Sequence, residues 1–97
     1  KYGIPVCPHA GGIGLGECVQ HFAFFDYVSV SASLEDRAVE YVDHLHDHFL
    51  SPVVVADGRY RLATSPGYCV AMYDDSLARY GFPDGEVWKE TAAVSAE

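Results

Sequence analysis

A histidine and a glutamate occupy the two positions of this sequence where chemistry is most expected. His9 follows a short apolar run and opens the glycine-rich stretch 11–16. In α/β barrels, catalytic groups project from the carboxyl ends of the strands, and an imidazole can act as an acid or a base near neutral pH. The alternative interpretation is a partly buried histidine that is bonded to a loop carbonyl.

Glu40 is the second candidate, because it lies inside the apolar run 38–42. A carboxylate is costly to bury without a partner. We therefore expect Glu40 either at a strand end, where it faces a site, or bonded to a neighbouring residue. Three further acidic residues, Glu17, Glu35 and Asp36, are predicted to be solvated charges at helix starts or in loops, where carboxylates are favoured.

The alternating histidines His44, His46 and His48 form another cluster with chemical potential. On a helix, His44 and His48 would share a face, with a spacing that zinc uses. The sequence shows no clear further ligand, so we favour a solvated, polar helical face.

The glycine stretch 11–16 invites comparison with nucleotide-binding loops. It departs from the G-x-G-x-x-G motif because Glu17 stands where the last glycine belongs, and it lacks the Lys-Ser/Thr ending of a P-loop. We interpret the stretch as a tight strand-to-helix turn, and a weak anion site at the helix start stays open.

The elements that must position these residues alternate along the first half of the chain. Apolar spacing predicts a strand at 4–7, a helix at 15–25, strands at 26–31 and 38–42, and a helical turn at 43–49. This order is typical of a βαβ unit with a parallel sheet, and thus of an α/β fold.

The second half has a different character, and we divide the chain into 1–50 and 51–97. A β-hairpin is predicted within 53–62, around Asp57-Gly58. A helix is predicted at 74–80, ended by Gly81, and the tail after Lys89 is expected to be frayed. A parallel element of so few strands leaves edges that must be covered. We therefore expect a fragment of a larger folded unit, as the start at Lys1 also suggests.

Composition limits the class of protein. The 97 residues suffice for one small domain, and the formal net charge of −8 disfavours nucleic acid and anionic membrane as partners. No apolar run approaches the roughly 20 residues that a membrane span needs. Cys7, Cys18 and Cys69 lack the close paired spacing of a disulfide framework or zinc ribbon, which indicates reduced thiols in an intracellular protein.

Several blocks of the sequence resemble the L-fuconate dehydratases of the enolase superfamily. The resemblance rests on residues 6–15, 19–21, 35–37, 40–46 and 83–85, and it extends over essentially the whole chain. It implies the C-terminal part of a modified (β/α) TIM barrel, with the last barrel strands followed by a hairpin and helix return towards a capping domain. A whole barrel takes roughly 250 residues, so this chain cannot contain one.

The resemblance also implies an activity. Such an enzyme is a hydro-lyase of carbohydrate catabolism, which uses Mg²⁺ to stabilise an enediolate of a sugar acid and then loses the 3-hydroxyl as water. His9 would be the catalytic acid for hydroxide departure and would touch the substrate, and Glu40 would bind the substrate carboxylate. The lysine base, the metal ligands and an aspartate partner of the histidine are expected upstream of this chain, and no residue of the chain is predicted to bind the metal.

The expected partner is therefore a small-molecule sugar acid, and the complete enzyme could be a homo-oligomer. The expected compartment is the mitochondrion for an animal protein and otherwise the cytoplasm. The fragment alone is expected to be inactive. Two alternatives stay open, namely a non-catalytic metal-binding module built on His44, His46 and His48, and a fragment that acts through protein contacts.

Overall fold

The first helix follows the loop that contains His9. A computed structural model describes residues 1–43 and 45–96. Helix α1, Leu15–Phe25, has the predicted bounds and begins after Gly14, whose φ of 73° is left-handed. A Cβ at Gly14 would lie 2.8 Å from the Cζ atom of Phe49, so both the backbone conformation and the close approach require glycine there.

Residues 26–31 do not form the strand that was predicted for them, so that prediction is wrong. Asp26–Ser31 forms a π-helical continuation of α1 and ends at Ala32, which has a positive φ of 52°. The side chain of Asp26 is buried and accepts hydrogen bonds from Ser31 Oγ at 3.0 Å and from Arg37 Nε at 2.8 Å. No neighbouring strand pairs with this segment in the described chain, so its backbone groups are satisfied locally by helical bonds.

The predicted strands at 4–7 and 38–42 are also absent from the described residues. The two segments are joined by one backbone hydrogen bond, from the amide of Glu40 to the carbonyl of Pro8 at 3.2 Å, and they form no sheet. The predicted parallel βαβ sheet is therefore wrong for the described chain. Pro5 and Pro8 lack the amide donors of a ladder, and parallel strands occur where neighbours cover both faces.

The hairpin is confirmed, although it is short. Strands β1, Val55–Ala56, and β2, Arg59–Tyr60, pair antiparallel. Asp57 and Gly58 connect them with positive φ values of 54° and 71°, as a type I′ turn requires. Within the described chain this is the only sheet.

The predicted helical turn within 43–49 is present as a 3₁₀ helix, His46–His48. The next residues pair antiparallel with a distant stretch through an isolated bridge between Phe49 and Met72. Its hydrogen bonds run from the Leu50 amide to the Ala71 carbonyl at 2.9 Å and from the Tyr73 amide to the His48 carbonyl at 3.0 Å.

Two helices complete the chain. Helix α2, Asp74–Tyr80, is confirmed and ends at Gly81 in an extended rather than left-handed conformation. Helix α3, Glu86–Ser95, occupies most of the tail that was predicted to fray, so that prediction is wrong. Trp88 Nε1 donates to the Tyr80 carbonyl at 2.9 Å, which ties α3 to the end of α2.

The apolar core is small. Its buried members are Ala10, Val19, Phe49 and Cys69. The three cysteines are unpaired, as predicted. In the described part of the chain, no helix has the length and apolar character needed to cross a membrane.

Candidate functional site

The structure brings the two predicted site residues into direct contact. Glu40 Oε2 accepts a hydrogen bond from the backbone amide of Ala10 at 2.6 Å and contacts His9 Nδ1. The backbone of Glu40 is held as well, because its amide donates to Pro8 and its carbonyl accepts from the Tyr60 hydroxyl at 2.7 Å. The prediction that Glu40 is bonded to neighbours is confirmed, whereas the roles of both residues in chemistry stay predictions.

The contact lies at the surface. The side chain of His9 is 79% exposed and that of Glu40 is 39% exposed. The imidazole lies directly over Gly11, where a Cβ would come within 2.7 Å of the ring atoms Cε1 and Nε2. Glycine at this position therefore leaves room for the His9 ring, whose Nδ1 contacts Glu40.

The surroundings of Glu40 favour its ionised form. The amide of Ala10 lowers the pKa of Glu40, partial burial opposes that change, and the nearby imidazole of His9 lowers the pKa further, so that it lies below the ordinary value of 4.5. Glu40 is therefore an anion at neutral pH, and its Oε2 acts as a hydrogen-bond acceptor.

An apolar groove of about 480 Å³ opens beside His9, and its lining is unsuitable for a sugar. Val6, Val19, Phe22 and Val30 are among the residues that line it, and only His9 and Asp26 contribute ionisable groups. A polyhydroxylated acid needs several hydrogen-bonding partners, because its polar groups are costly to desolvate unpaired. This groove alone is therefore not a sugar pocket.

The structure contains a second acid–histidine pair, Glu17 and His46, which was not predicted. Glu17 is fully buried at 0% exposure, so the prediction of a solvated charge is wrong. Its Oε1 lies 2.6 Å from His46 Nδ1, and the other ring nitrogen, Nε2, donates to the Val42 carbonyl at 2.8 Å. The side chain of His46 is 17% exposed, so the prediction of a solvated face is wrong for this residue as well.

The partners of His46 favour the protonated form of its ring. Burial lowers its pKa, but the hydrogen bonds to Glu17 and Val42 and the attraction of the Glu17 and Asp43 carboxylates together raise it above the ordinary 6.5. The Tyr41 ring stacks on the imidazole with a centroid separation of 5.6 Å.

His48 does not join this pair. His48 Nδ1 contacts Ser76 Oγ at 2.8 Å, and its ring meets Tyr80 edge-on. His44 lies outside the described residues. Across 1–43 and 45–96, no group of three or more His, Cys, Asp or Glu side chains could hold a metal ion.

Other polar residues agree with expectation. Glu35 and Asp36 are exposed, and Ser33 Oγ accepts the amide of Glu35 at 3.0 Å in a capping turn. Trp88 is a packing residue, since its ring meets Phe82 edge-on at 5.2 Å.

Magnesium, which the enolase resemblance implies, does not fit the described residues of this chain alone. Mg²⁺ prefers oxygen ligands in octahedral geometry. The candidate site offers one carboxylate, and its Oε2 is already engaged by Ala10 and His9.

Comparison with known proteins identifies relatives of this chain. No family model matches the chain. Mitochondrial enolase superfamily member 1 of Homo sapiens is 57% identical over 90 residues, which cover 93% of this chain and 20% of that protein. The corresponding protein of Pongo abelii is 56% identical over 94 residues, and an L-galactonate dehydratase of Hypocrea jecorina is 49% identical over 83 residues.

A solved structure agrees with the sequence relatives. The crystal structure of human mitochondrial enolase superfamily member 1 matches with a TM-score of 0.85 and 57% identity, over 91% of this chain and 20% of that one. The chain thus spans about a fifth of the length of the relatives that it matches. Over this shared segment, the chain belongs to the enolase superfamily.

Proposed function

We propose that this chain is the C-terminal barrel segment of a Mg²⁺-dependent acid-sugar dehydratase. Its substrate would be L-fuconate, which would lose water to give 2-keto-3-deoxy-L-fuconate. The observation that carries the proposal is the contact of His9 Nδ1 with Glu40 Oε2 in a chain related to an L-galactonate dehydratase and to the mitochondrial enolase superfamily member 1 proteins.

His9 is the proposed acid of the dehydration. A base removes the proton at C2, the electron pair forms the enolic double bond, and the C3–O bond breaks. The departing hydroxide takes a proton from the imidazole and leaves as water. The C2–C3 enol then gains a proton at C3 and loses the proton of its hydroxyl, which gives the 2-keto group. Because Nδ1 of His9 contacts Glu40, Nε2 is the ring nitrogen that would give that proton.

Glu40 is the proposed substrate-binding residue, and it also holds the ring of His9. Because its pKa is lowered, Glu40 binds as an anion, which accepts hydrogen bonds from substrate hydroxyls and repels a bare substrate carboxylate. An ionised Glu40 beside the substrate carboxylate therefore requires a shared proton or a neutralising cation.

We propose that the rest of the site lies in other parts of a longer chain. Residues 1–50 would carry the barrel end with the site, and residues 51–97 would return towards a capping domain. The base and the magnesium ligands would lie in parts of the protein that this chain does not include, so the segment alone would be inactive. Because the animal relatives are named mitochondrial, we propose the mitochondrion as the compartment. We propose no nucleic-acid or membrane partner.

The test is the dehydration of L-fuconate and L-galactonate by the complete protein that carries this segment. His9→Asn should lower kcat by a factor of about 10² to 10⁴, the usual contribution of a general acid, because the hydroxide then leaves without a proton. Mg²⁺ affinity should stay close to that of the unmodified protein. His48→Asn, which changes a histidine bonded to Ser76, is the control and should leave kcat unchanged. Unchanged turnover in His9→Asn would remove His9 from the mechanism.

A further inference from the structure

Two separate contacts join the loop and first helix to the segment that carries Glu40. The first is the site itself, where Ala10 and His9 contact the Glu40 carboxylate. The second begins at Glu17 in the first turn of α1 and passes through the ring of His46 to the carbonyl of Val42. The second contact therefore fixes the backbone two residues beyond Glu40.

The second contact is buried, whereas the first is exposed to solvent. Glu17 is fully buried and the side chain of His46 is mostly buried. Each ring nitrogen of His46 has a partner, and a flat tyrosine ring, Tyr41, stacks on it. An imidazole that is held on both edges and one face has little freedom, so the carbonyl of Val42 has a fixed position relative to α1.

An aromatic contact extends this arrangement to Glu40. Tyr41 meets Tyr60 edge-on at a centroid distance of 6.1 Å, and the Tyr60 hydroxyl donates to the Glu40 carbonyl. The buried pair is thus linked to Val42 directly and to the Glu40 carbonyl through Tyr41 and Tyr60. It touches neither His9 nor the Glu40 carboxylate directly.

We propose that Glu17 and His46 are positioning residues, which hold the 40–42 backbone against α1 so that the Glu40 carboxylate meets His9 and the substrate. This role rests on the proposed function of Glu40. A purely structural pair would affect stability alone, whereas a positioning pair must also affect how the site binds the acid sugar.

A double variant separates the two roles. In Glu17→Leu/His46→Phe the buried charges are replaced by apolar groups, and the introduced phenyl ring can still stack on Tyr41. Such replacement of a buried ion pair is often neutral or stabilising, so the variant should fold. The hydrogen bond to Val42 is lost, so Glu40 is no longer held where it contacts the substrate, and KM for L-fuconate should rise about tenfold, the equivalent of about 1.4 kcal/mol. A folded double variant with the KM and kcat of the unmodified protein would overturn the proposal.

A second pair of variants keeps the test decisive if the double variant does not fold. The amide of an asparagine reaches about as far as Nδ1, and that of a glutamine reaches about as far as Nε2. His46→Asn should keep the contact with Glu17 and release Val42, whereas His46→Gln should keep the donor to Val42. Because each variant breaks one of the two links between α1 and Val42, we expect a raised KM in both. A KM equal to that of the unmodified protein in both variants would contradict the proposal.

Glu17→Gln is a conservative variant that should keep both hydrogen bonds of the His46 ring. Its amide can donate to Nδ1 of a neutral His46, while Nε2 still donates to Val42. KM should therefore stay near that of the unmodified protein. A KM as high as in the double variant would show that position depends on something other than this hydrogen-bonded chain.

Failure of this inference can be told from failure of the proposed function. If His9→Asn abolishes turnover and the Glu17 and His46 variants keep a normal KM, the dehydratase stands and the positioning role falls. If His9→Asn is fully active, the proposed function falls. In that case a crystal structure of the complete double variant still tests the geometry, because the Glu40 carboxylate should have left the Ala10 amide.

Discussion

At the scale of single residues, Glu40 is held at its amide, its carbonyl and one carboxylate oxygen. The partners are Pro8, Tyr60 and the Ala10–His9 loop, respectively. Three contacts on one residue leave its side chain few alternative positions, which is the preorganisation that a binding or catalytic group needs. The exposed site thus depends on contacts made by its backbone.

The buried pair predicts a pH dependence of stability. The pKa of His46 in the folded protein lies above 6.5, so folding favours the protonated ring. Its contribution to stability is fully present below pH 6.5 and is lost as the pH rises through the raised folded pKa. Glu17→Gln removes the carboxylate that attracts the ring. Relative to the unmodified protein it should be less stable at about pH 5.5, and the difference should shrink at about pH 9.

Denaturant unfolding of the complete protein at several pH values measures this difference directly. Asp26→Asn, which alters the other buried carboxylate, bonded to Arg37 rather than to His46, is the control and should cost stability without the same pH dependence. A difference between Glu17→Gln and the unmodified protein that is constant across this pH range would contradict the assignment of a charged His46.

Sequence reasoning found the exposed pair and missed the buried one for a physical reason. His9 and Glu40 stand out locally, one beside glycines and the other among apolar residues. Glu17 in a first helical turn looks like a favourable helix-dipole charge, and nothing nearby in the chain indicates that His46 will cover it. Burial of such a pair is decided by tertiary contact. The only local hint was that Glu17 and Gln20 share one helix face.

At the scale of elements, α1 buries only part of its apolar side. Phe22 and Phe25 are 60% and 59% exposed. The buried residues of the helix include Val19 together with the polar Glu17 and Gln20. Part of the apolar side of the helix is therefore unpaired in this chain, which supports its place within a longer protein.

The turn into α1 gives a matched test of the packing. In Gly14→Ala the left-handed backbone should cost about 1–2 kcal/mol, and the contact with the Phe49 ring should add about 1–3 kcal/mol. Gly58→Ala has the same left-handed backbone and no atom within 4 Å of the new Cβ, so it should show the backbone cost alone. Thermal unfolding of both variants measures the difference, and equal losses of stability would contradict the contact with Phe49.

The elements that could be predicted are those whose signals are local. Helix α1, the Asp57-Gly58 hairpin and α2 follow from helical spacing and turn chemistry. The segments 4–7, 26–31 and 38–42 were misassigned because β-branched and apolar residues favour strands only where partner strands exist. Helix α3 was missed because its pattern is weak, although Gly85 followed by Glu86 was an available start signal.

At the scale of the whole molecule, the chain is more extended than a self-contained domain. Its radius of gyration is 17.3 Å, whereas about 12.5 Å is expected for this length. Its accessible surface is 7349 Å², against about 5,500 Å² for a folded monomer of its mass. Together with the coverage of about a fifth of its relatives, this shape supports a segment that is completed by other parts of a larger protein.

The central claim is that His9 and Glu40 work as one unit on an acid sugar. A double-mutant cycle on kcat/KM for L-fuconate, with His9→Asn, Glu40→Gln and the combined variant of the complete protein, tests it most directly. Because groups that act as a unit are strongly non-additive, the combined variant should lose little more activity than His9→Asn alone. Losses that simply multiply would show that the two residues act independently and would contradict the claim.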